Sequence, residues 1–260
     1  MEQEVLGEVH KPPRTWRVWI PAVAALLLAL AIVQLAMLAG LQAASMFDVA
    51  ADYSTPGAHQ PGHFETLQAQ RLGAYFAGFQ LTVVTLTLLA AFLTPPLRGR
   101  VLLFSRPRGG IAAVGLAILG LLAISSAIGT LIYQLDRTTF IHDIRPFAHI
   151  ASSSSWWMLL LAAGVGAPLS EELLFRGLLF GGLRDSPLGF VGAAGISAGF
   201  WTALHASYSI YALALLFVIG IYFAWLRERT QSLWPSMAAH AVYNSAIVLA
   251  LAFVPEVVLQ

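Results

Sequence analysis

Residues 156–183 read WWMLLLAAGVGAPLSEELLFRGLLFGGL, an apolar run with Glu171, Glu172 and Arg176 set inside it. About 20 consecutive apolar residues suffice to cross the hydrocarbon core of a bilayer as a helix. On an insertion scale, a charge near mid-bilayer costs ~2.5–3.5 kcal/mol. Three such charges persist in a spanning helix only when they pair with one another or line a wet cavity. The run therefore predicts two things at once, a membrane helix and a polar site built into it.

Comparable apolar runs lie at 18–44, 72–93, 111–135, 189–206, 210–226 and 235–254. The chain thus reads as all-α, a polytopic transmembrane bundle of about seven spanning helices. Turn formers and charges divide the runs, as at Thr94-Pro95-Pro96, Arg106-Pro107-Arg108-Gly109-Gly110, Asp185-Ser186-Pro187 and Arg227-Glu228-Arg229. Composition agrees, with 58% of the 260 residues hydrophobic and 10% charged, against about 25% charged in an average soluble domain. The first run exceeds the ~7–15 residues of a signal-peptide core and is expected to stay as an anchor. The sequence has no cysteine, which excludes thiol nucleophiles, disulfides and thiolate metal sites. A net charge of +1 gives no reason to expect nucleic acid as a partner.

Placing the N-terminus in the cytoplasm puts all 14 Lys and Arg on that side except Arg71, Arg137 and Arg145. Lys11, Arg14 and Arg17 contribute to this bias. Positive charge accumulates on cytoplasmic loops, so the expected orientation is N-terminus cytoplasmic and C-terminus outside. Residues 136–155 interleave Phe140, Ile141, Ile144, Phe147 and Ile150 with charges and two histidines. That pattern fits a short amphipathic helix on the outer face. With no internal repeat, the chain is read as a single membrane domain. Residues 1–155 supply helices and loops without motifs, and residues 156–254 form a core of four helices that carries the chemistry.

Glu172 and Arg176 are four residues apart, on one helical face, and are expected to pair. Glu171 is turned by ~100° from its neighbour and points elsewhere. The spacing predicts one structural carboxylate and one left for chemistry. Trp201 and His205 share a face of the next run, and His240 and Asn244 share a face of the last. A carboxylate, two imidazoles and a carboxamide can deprotonate a water and steady the oxyanion of a tetrahedral intermediate, which is hydrolysis of an acyl bond.

Other intramembrane chemistries fit less well. No histidine is followed by glutamate, so the H-E-x-x-H zinc motif is absent. The aspartates lie in loops, away from an aspartyl-protease arrangement. Gly195-Ile196-Ser197-Ala198-Gly199 matches G-x-S-x-G, yet Ser197 stands ~12 Å along the helix from His205. Those glycines are read instead as a helix-packing face. A proton-relay transporter lacks the expected repeat symmetry. Helical rise brings Glu171 and His205 level at ~20 and ~24 Å from the basic ends of their helices. His240 stands only ~9 Å beyond Trp234, so the turn before Pro235 must dip into the bilayer for the three to meet.

The series Glu171-Glu172-x-x-x-Arg176, Trp201-x-x-x-His205 and His240-x-x-x-Asn244, with Ser232-Leu233-Trp234-Pro235-Ser236 before the third motif, resembles the CAAX-protease and bacteriocin-processing (CPBP) family. This family includes the type II CAAX prenyl proteases. The resemblance covers roughly residues 156–250 and departs in having Trp201 where phenylalanine is usual. It implies an intramembrane endopeptidase of the cell membrane acting near the cytoplasmic face, of bacterial origin by composition. Its substrate would be a peptide or membrane protein, with a lipidated C-terminal tail among the options. Glu171 and His205 would activate water, His240 and Asn244 would stabilise the oxyanion, and Glu172 and Arg176 would support them. The family includes both metalloproteases and metal-independent glutamate proteases. Glu171, His205 and His240 could hold Zn²⁺ or another divalent ion, although the preferred reading requires no cofactor. The alternative is a non-catalytic scaffold or immunity-type protein that binds a peptide on the same fold.

Overall fold

The computed structural model describes residues 18–47, 63–151 and 156–253, and all the regular structure among them is helical. Lys11, Arg14 and Arg17, residues 152–155 and residue 254 lie outside the described residues. In chain order the helices are α1 (Ile20–Ser45), α2 (His63–Leu93), α3 (Pro95–Val101), α4 (Gly110–Leu135) and α5 (Arg137–Ala151). They are followed by α6 (Trp156–Arg184), α7 (Gly189–Ala203), α8 (Ile210–Thr230) and α9 (Trp234–Ala252).

Among the described residues, six helices are long and apolar enough to cross a membrane, namely α1, α2, α4, α6, α8 and α9. The run at 189–206 differs from expectation. Its helix α7 has 15 residues, ~22 Å of rise, short of the ~30 Å hydrocarbon core. Hydropathy continues past Ala203, but the chain tightens there, with His205 N–H donating to Thr202 O (2.9 Å) and Tyr208 N–H to His205 O (3.0 Å). The next helix begins under the Ser209 cap, whose hydroxyl accepts from Ala212 N–H.

Helix α1 packs mostly small residues inward, with Ile32 and Val33 among them, and turns its leucines outward. In α1, Ala22, Ala25, Ala29, Ala36, Gly40 and Ala44 are buried while Leu27, Leu30, Leu35, Leu38 and Leu41 are exposed. Lipid tails are as apolar as leucine, so close backbone approach, not removal from water, selects the inward residues. A Cβ on Gly78 of α2 would stand 2.8 Å from the Ala39 carbonyl oxygen.

Helix α6 is the centre of the fold, since every residue from Glu172 to Leu183 is buried. It is not a uniform α-helix. Ala162–Gly166 and Glu172–Leu179 are wound as π-helix, a form that concentrates at functional sites. Pro168 supplies no N–H to the carbonyls of the preceding turn. Asn244 Nδ2 of α9 donates to Ala163 O, and Gln80 Nε2 of α2 donates to Ala162 O, which also accepts from Ala167 N–H, both side-chain bonds at 2.9 Å.

The expected packing face of Gly195 and Gly199 is not formed. Gly195 has open space where a Cβ would stand, and Gly199 has only Phe217 at 4.0 Å. The close approach of α7 and α8 falls at Gly220, where a Cβ would meet Ala198 Cβ at 2.8 Å and Trp201 Cε3 at 3.3 Å. Gly220→Ala is therefore expected to destabilise the bundle by about 1–3 kcal/mol through overpacking. A lower midpoint in thermal unfolding of the detergent-solubilised protein checks this, and an unchanged midpoint contradicts it.

Candidate active site

Glu172 and Arg176 form the anchor. Their side chains are fully buried, with Arg176 Nη1 at 3.1 Å from Glu172 Oε1. The guanidinium lies between two aromatic faces, 4.7 Å from the Trp201 ring centroid and 4.9 Å from that of Phe223. Its Nη2 donates to Gly220 O at 3.4 Å. Cation–π contact in a desolvated setting adds to the ion pair. The pair expected from the i, i+4 spacing is present.

His240 joins this pair to the second carboxylate. Its Nδ1 is 3.4 Å from Glu172 Oε1 and its Nε2 3.9 Å from Glu171 Oε2. The imidazole is buried, whereas the Glu171 side chain keeps 18% of its surface exposed. The two adjacent glutamates thus occupy different environments, one sealed against arginine and one reachable. The turn that leads α9 to α6 is buried within the protein. Ser232 and Leu233 before α9 are both 0% exposed. They are held inside by Ser232 Oγ donating to Ser105 O (2.8 Å) and Leu233 N–H donating to Leu103 O (2.8 Å).

Trp201 has a part that the sequence did not disclose. Its indole Nε1–H donates to Glu171 Oε2 at 2.5 Å, while its ring covers Arg176 and stands edge-on to His240 at 5.9 Å. Phenylalanine could supply the ring contacts but not the donor. His205 lies one turn on, its ring 5.3 Å from that of Trp201. Its Nδ1 is 2.9 Å from the Trp201 carbonyl oxygen. A carbonyl can only accept, so Nδ1 is the donor in this contact and Nε2 is not engaged by it.

Asn244 is placed apart from the anchor, its amide donating to Ala163 O. One of its two N–H groups is therefore committed to α6. Ser197 is buried and donates to Phe175 O at 2.8 Å, a helix-packing bond that gives it no base. Tyr208 was not singled out in the sequence. Burial, then the nearby Asp143 and Glu171 carboxylates, push its hydroxyl up to about 12, so it stays neutral at physiological pH. Its ring stacks on that of His205 at 6.1 Å.

The three candidate metal ligands do not close into a ligand set. Among the described residues no three His, Asp or Glu side chains form a metal-holding group.

The six long apolar helices and the sealed acid–imidazole cluster define an integral membrane protein with a polar site inside its bundle. Residues 153–246 match the family model described as type II CAAX prenyl endopeptidase Rce1-like, so the resemblance carried by the three motifs holds across that segment. The chain is 29% identical over 92 residues to "Putative membrane peptidase YdiL" of Bacillus subtilis (strain 168), covering 35% of this chain and 36% of that protein. It is 30% identical over 81 residues to "UPF0177 protein YxdF" of Lactococcus lactis subsp. lactis (strain IL1403), covering 31% of this chain and 43% of that protein. The matched part is less than half the length of either relative. No solved structure matches.

Proposed function

We propose that this protein is an intramembrane endopeptidase in which Glu171 activates a water molecule. The observation that carries the reading is the contrast between the two neighbouring glutamates. Glu172 is fully buried on Arg176, and Glu171 is partly exposed beside His240 and Trp201. A carboxylate held by one hydrogen bond and still reachable from outside suits a general base.

In this reading the Glu171 carboxylate and His205 Nε2 hold the water. As the water oxygen bonds to the peptide carbonyl carbon, its proton passes to Glu171 and the carbonyl oxygen becomes an oxyanion. His240 and the second N–H of Asn244 stabilise that charge. The intermediate then collapses, the C–N bond breaks, and Glu171 returns its proton to the leaving amine. Glu172 and Arg176 act as supports, fixing His240 and the floor of the site. A peptide or a membrane protein is the substrate class, and a lipidated C-terminal tail is one candidate by the family match.

The test compares membrane and secreted peptides from cells making the wild-type chain with those from cells making Glu171→Gln. Peptides that accumulate uncut only in the variant identify the substrate, and identical profiles speak against the enzyme. The donor from Trp201 makes a finer prediction. Trp201→Phe keeps a ring over Arg176 but removes the N–H on Glu171, so kcat is expected to fall about tenfold, the scale of one charge-assisted hydrogen bond. KM and thermal stability should hold. A raised KM with unchanged kcat would assign Trp201 to substrate binding instead.

A further inference from the structure

The turns at the basic end of the bundle hold more arginine than their acids can pair. Asp185 takes Arg100 (2.6 Å) and Glu228 takes Arg184 (2.7 Å). Arg106 and Arg108 precede α4 and Arg229 ends α8, and among the described residues none of these three has an ion pair. Arg108 N–H donates to Thr230 O at 2.8 Å, which brings the two turns together.

Beside these arginines, between the starts of α4 and α9, lies a cavity of about 410 Å³, within the ~300–1,000 Å³ span of ligand sites. Arg106, Pro107, Ile111, Val114, Trp234 and Ala238 line it. Its walls are graded. Arg106 stands at the top, its Nη2 3.7 Å from where a Cβ would stand on Gly110, the first residue of α4. Val114 and Ala238 lie four residues into their helices, ~6 Å further along each axis. The wall is also preformed, since the Trp234 indole N–H donates to Phe104 O (3.1 Å) and its ring rests on that of Phe104 at 5.5 Å.

The cavity opens outward. Ile111 is 84% exposed, and Leu116 and Leu119 further along α4 also turn away from the bundle. Because α4 spans the membrane, this face meets lipid, and its first turn lies at the boundary between head groups and chains, where tryptophan also collects. The acid–imidazole cluster is elsewhere, as Ala238 and His240 are ~200° apart around α9. Residues 1–17 offer the cavity no net charge, because Glu2, Glu4 and Glu8 are balanced by Lys11, Arg14 and Arg17.

We propose that the cavity binds an anionic glycerophospholipid of the leaflet at the basic end, which the positive-inside rule makes the cytoplasmic one. The phosphate sits on Arg106 with Arg108 beside it, and one chain runs along Ile111, Val114 and Ala238. Basic recesses between spanning helices on this side take such head groups. The bound lipid ties the start of α4 to the start of α9, and the site stands apart from the peptidase reading.

The test uses the full chain, purified in neutral detergent and stripped of lipid. It is mixed with phosphatidylglycerol or with phosphatidylcholine of the same chains, and retained lipid is read as mass adducts by native mass spectrometry. Phosphatidylglycerol is expected to be retained about tenfold better, the scale of two arginines beside an anionic head group. Arg106→Gln combined with Arg108→Gln should bring the two lipids level. Val114→Trp should fill the cavity and remove the adduct, and Ile111→Trp stands in if that variant unfolds. Excess glycerol 1-phosphate should leave the lipid in place, and displacement would show a phosphate site that has no use for the chains. Equal retention of the two lipids by the wild type overturns the site, as does a preference that survives the paired arginine substitutions or the filled cavity. Retention that appears only after deletion of residues 2–16 would give the cavity to the N-terminal segment instead.

Discussion

Glu171→Gln should lower peptide hydrolysis by about 10²–10⁴-fold, the usual contribution of a positioned general base, while the protein inserts and unfolds as the wild type does. The side chain keeps its size and can still accept from the Trp201 indole through its amide oxygen, so the packing around Arg176 has no reason to change. What disappears is the ability to take a proton from water. Purified wild-type and variant protein, assayed on a peptide identified from the accumulated material, give the comparison. His205→Ala should cause a loss in the same range, because the proposed mechanism uses the Nε2 of this ring to hold the water. Equal cleavage by all three proteins would leave the scaffold reading, in which the fold holds a peptide without cutting it.

The membrane helices were legible because a bilayer imposes a simple rule on sequence, a continuous apolar run of sufficient length. The Glu172–Arg176 pair was legible for the same kind of reason, since three charges in such a run demand partners and only one spacing supplies one. Trp201 shows the limit. Helical periodicity places its ring on the His205 face, but the direction of the indole N–H depends on how α7 crosses α6. The end of α7 was hidden too, because Leu204 and Ala206 sustain hydropathy while His205 closes the helix with its own ring on the Trp201 carbonyl. The π-wound stretches of α6 follow no pattern visible in one sequence. Pro168 marks a missing donor, yet Asn244 reaches Ala163 O only after a distant helix packs. Gly195 and Gly199 mislead for a related reason, as a small residue permits close approach without requiring it.

Removing the arginine of the sealed pair should have the largest effect on stability. Arg176→Met keeps an unbranched chain between Trp201 and Phe223 but leaves Glu172 as a buried carboxylate whose nearest basic neighbour is His240 at 3.4 Å. Breaking one partner of a buried ion pair typically costs about 3–5 kcal/mol. For a chain of this size, that is a fall of roughly 10 °C in the unfolding midpoint. Much of the penalty belongs to the stranded charge, so Glu172→Gln combined with Arg176→Met should recover a large part of the stability. Activity should not return with it, because His240 would lose the carboxylate that orients its Nδ1 side. Thermal unfolding in detergent across the single and double variants measures the coupling, and additive losses would show that the two side chains act independently. A stable but inactive double variant separates the two duties of this corner of α6. The guanidinium packs α6 against α7 and α8, and its partner Glu172 stands beside the imidazole that faces Glu171.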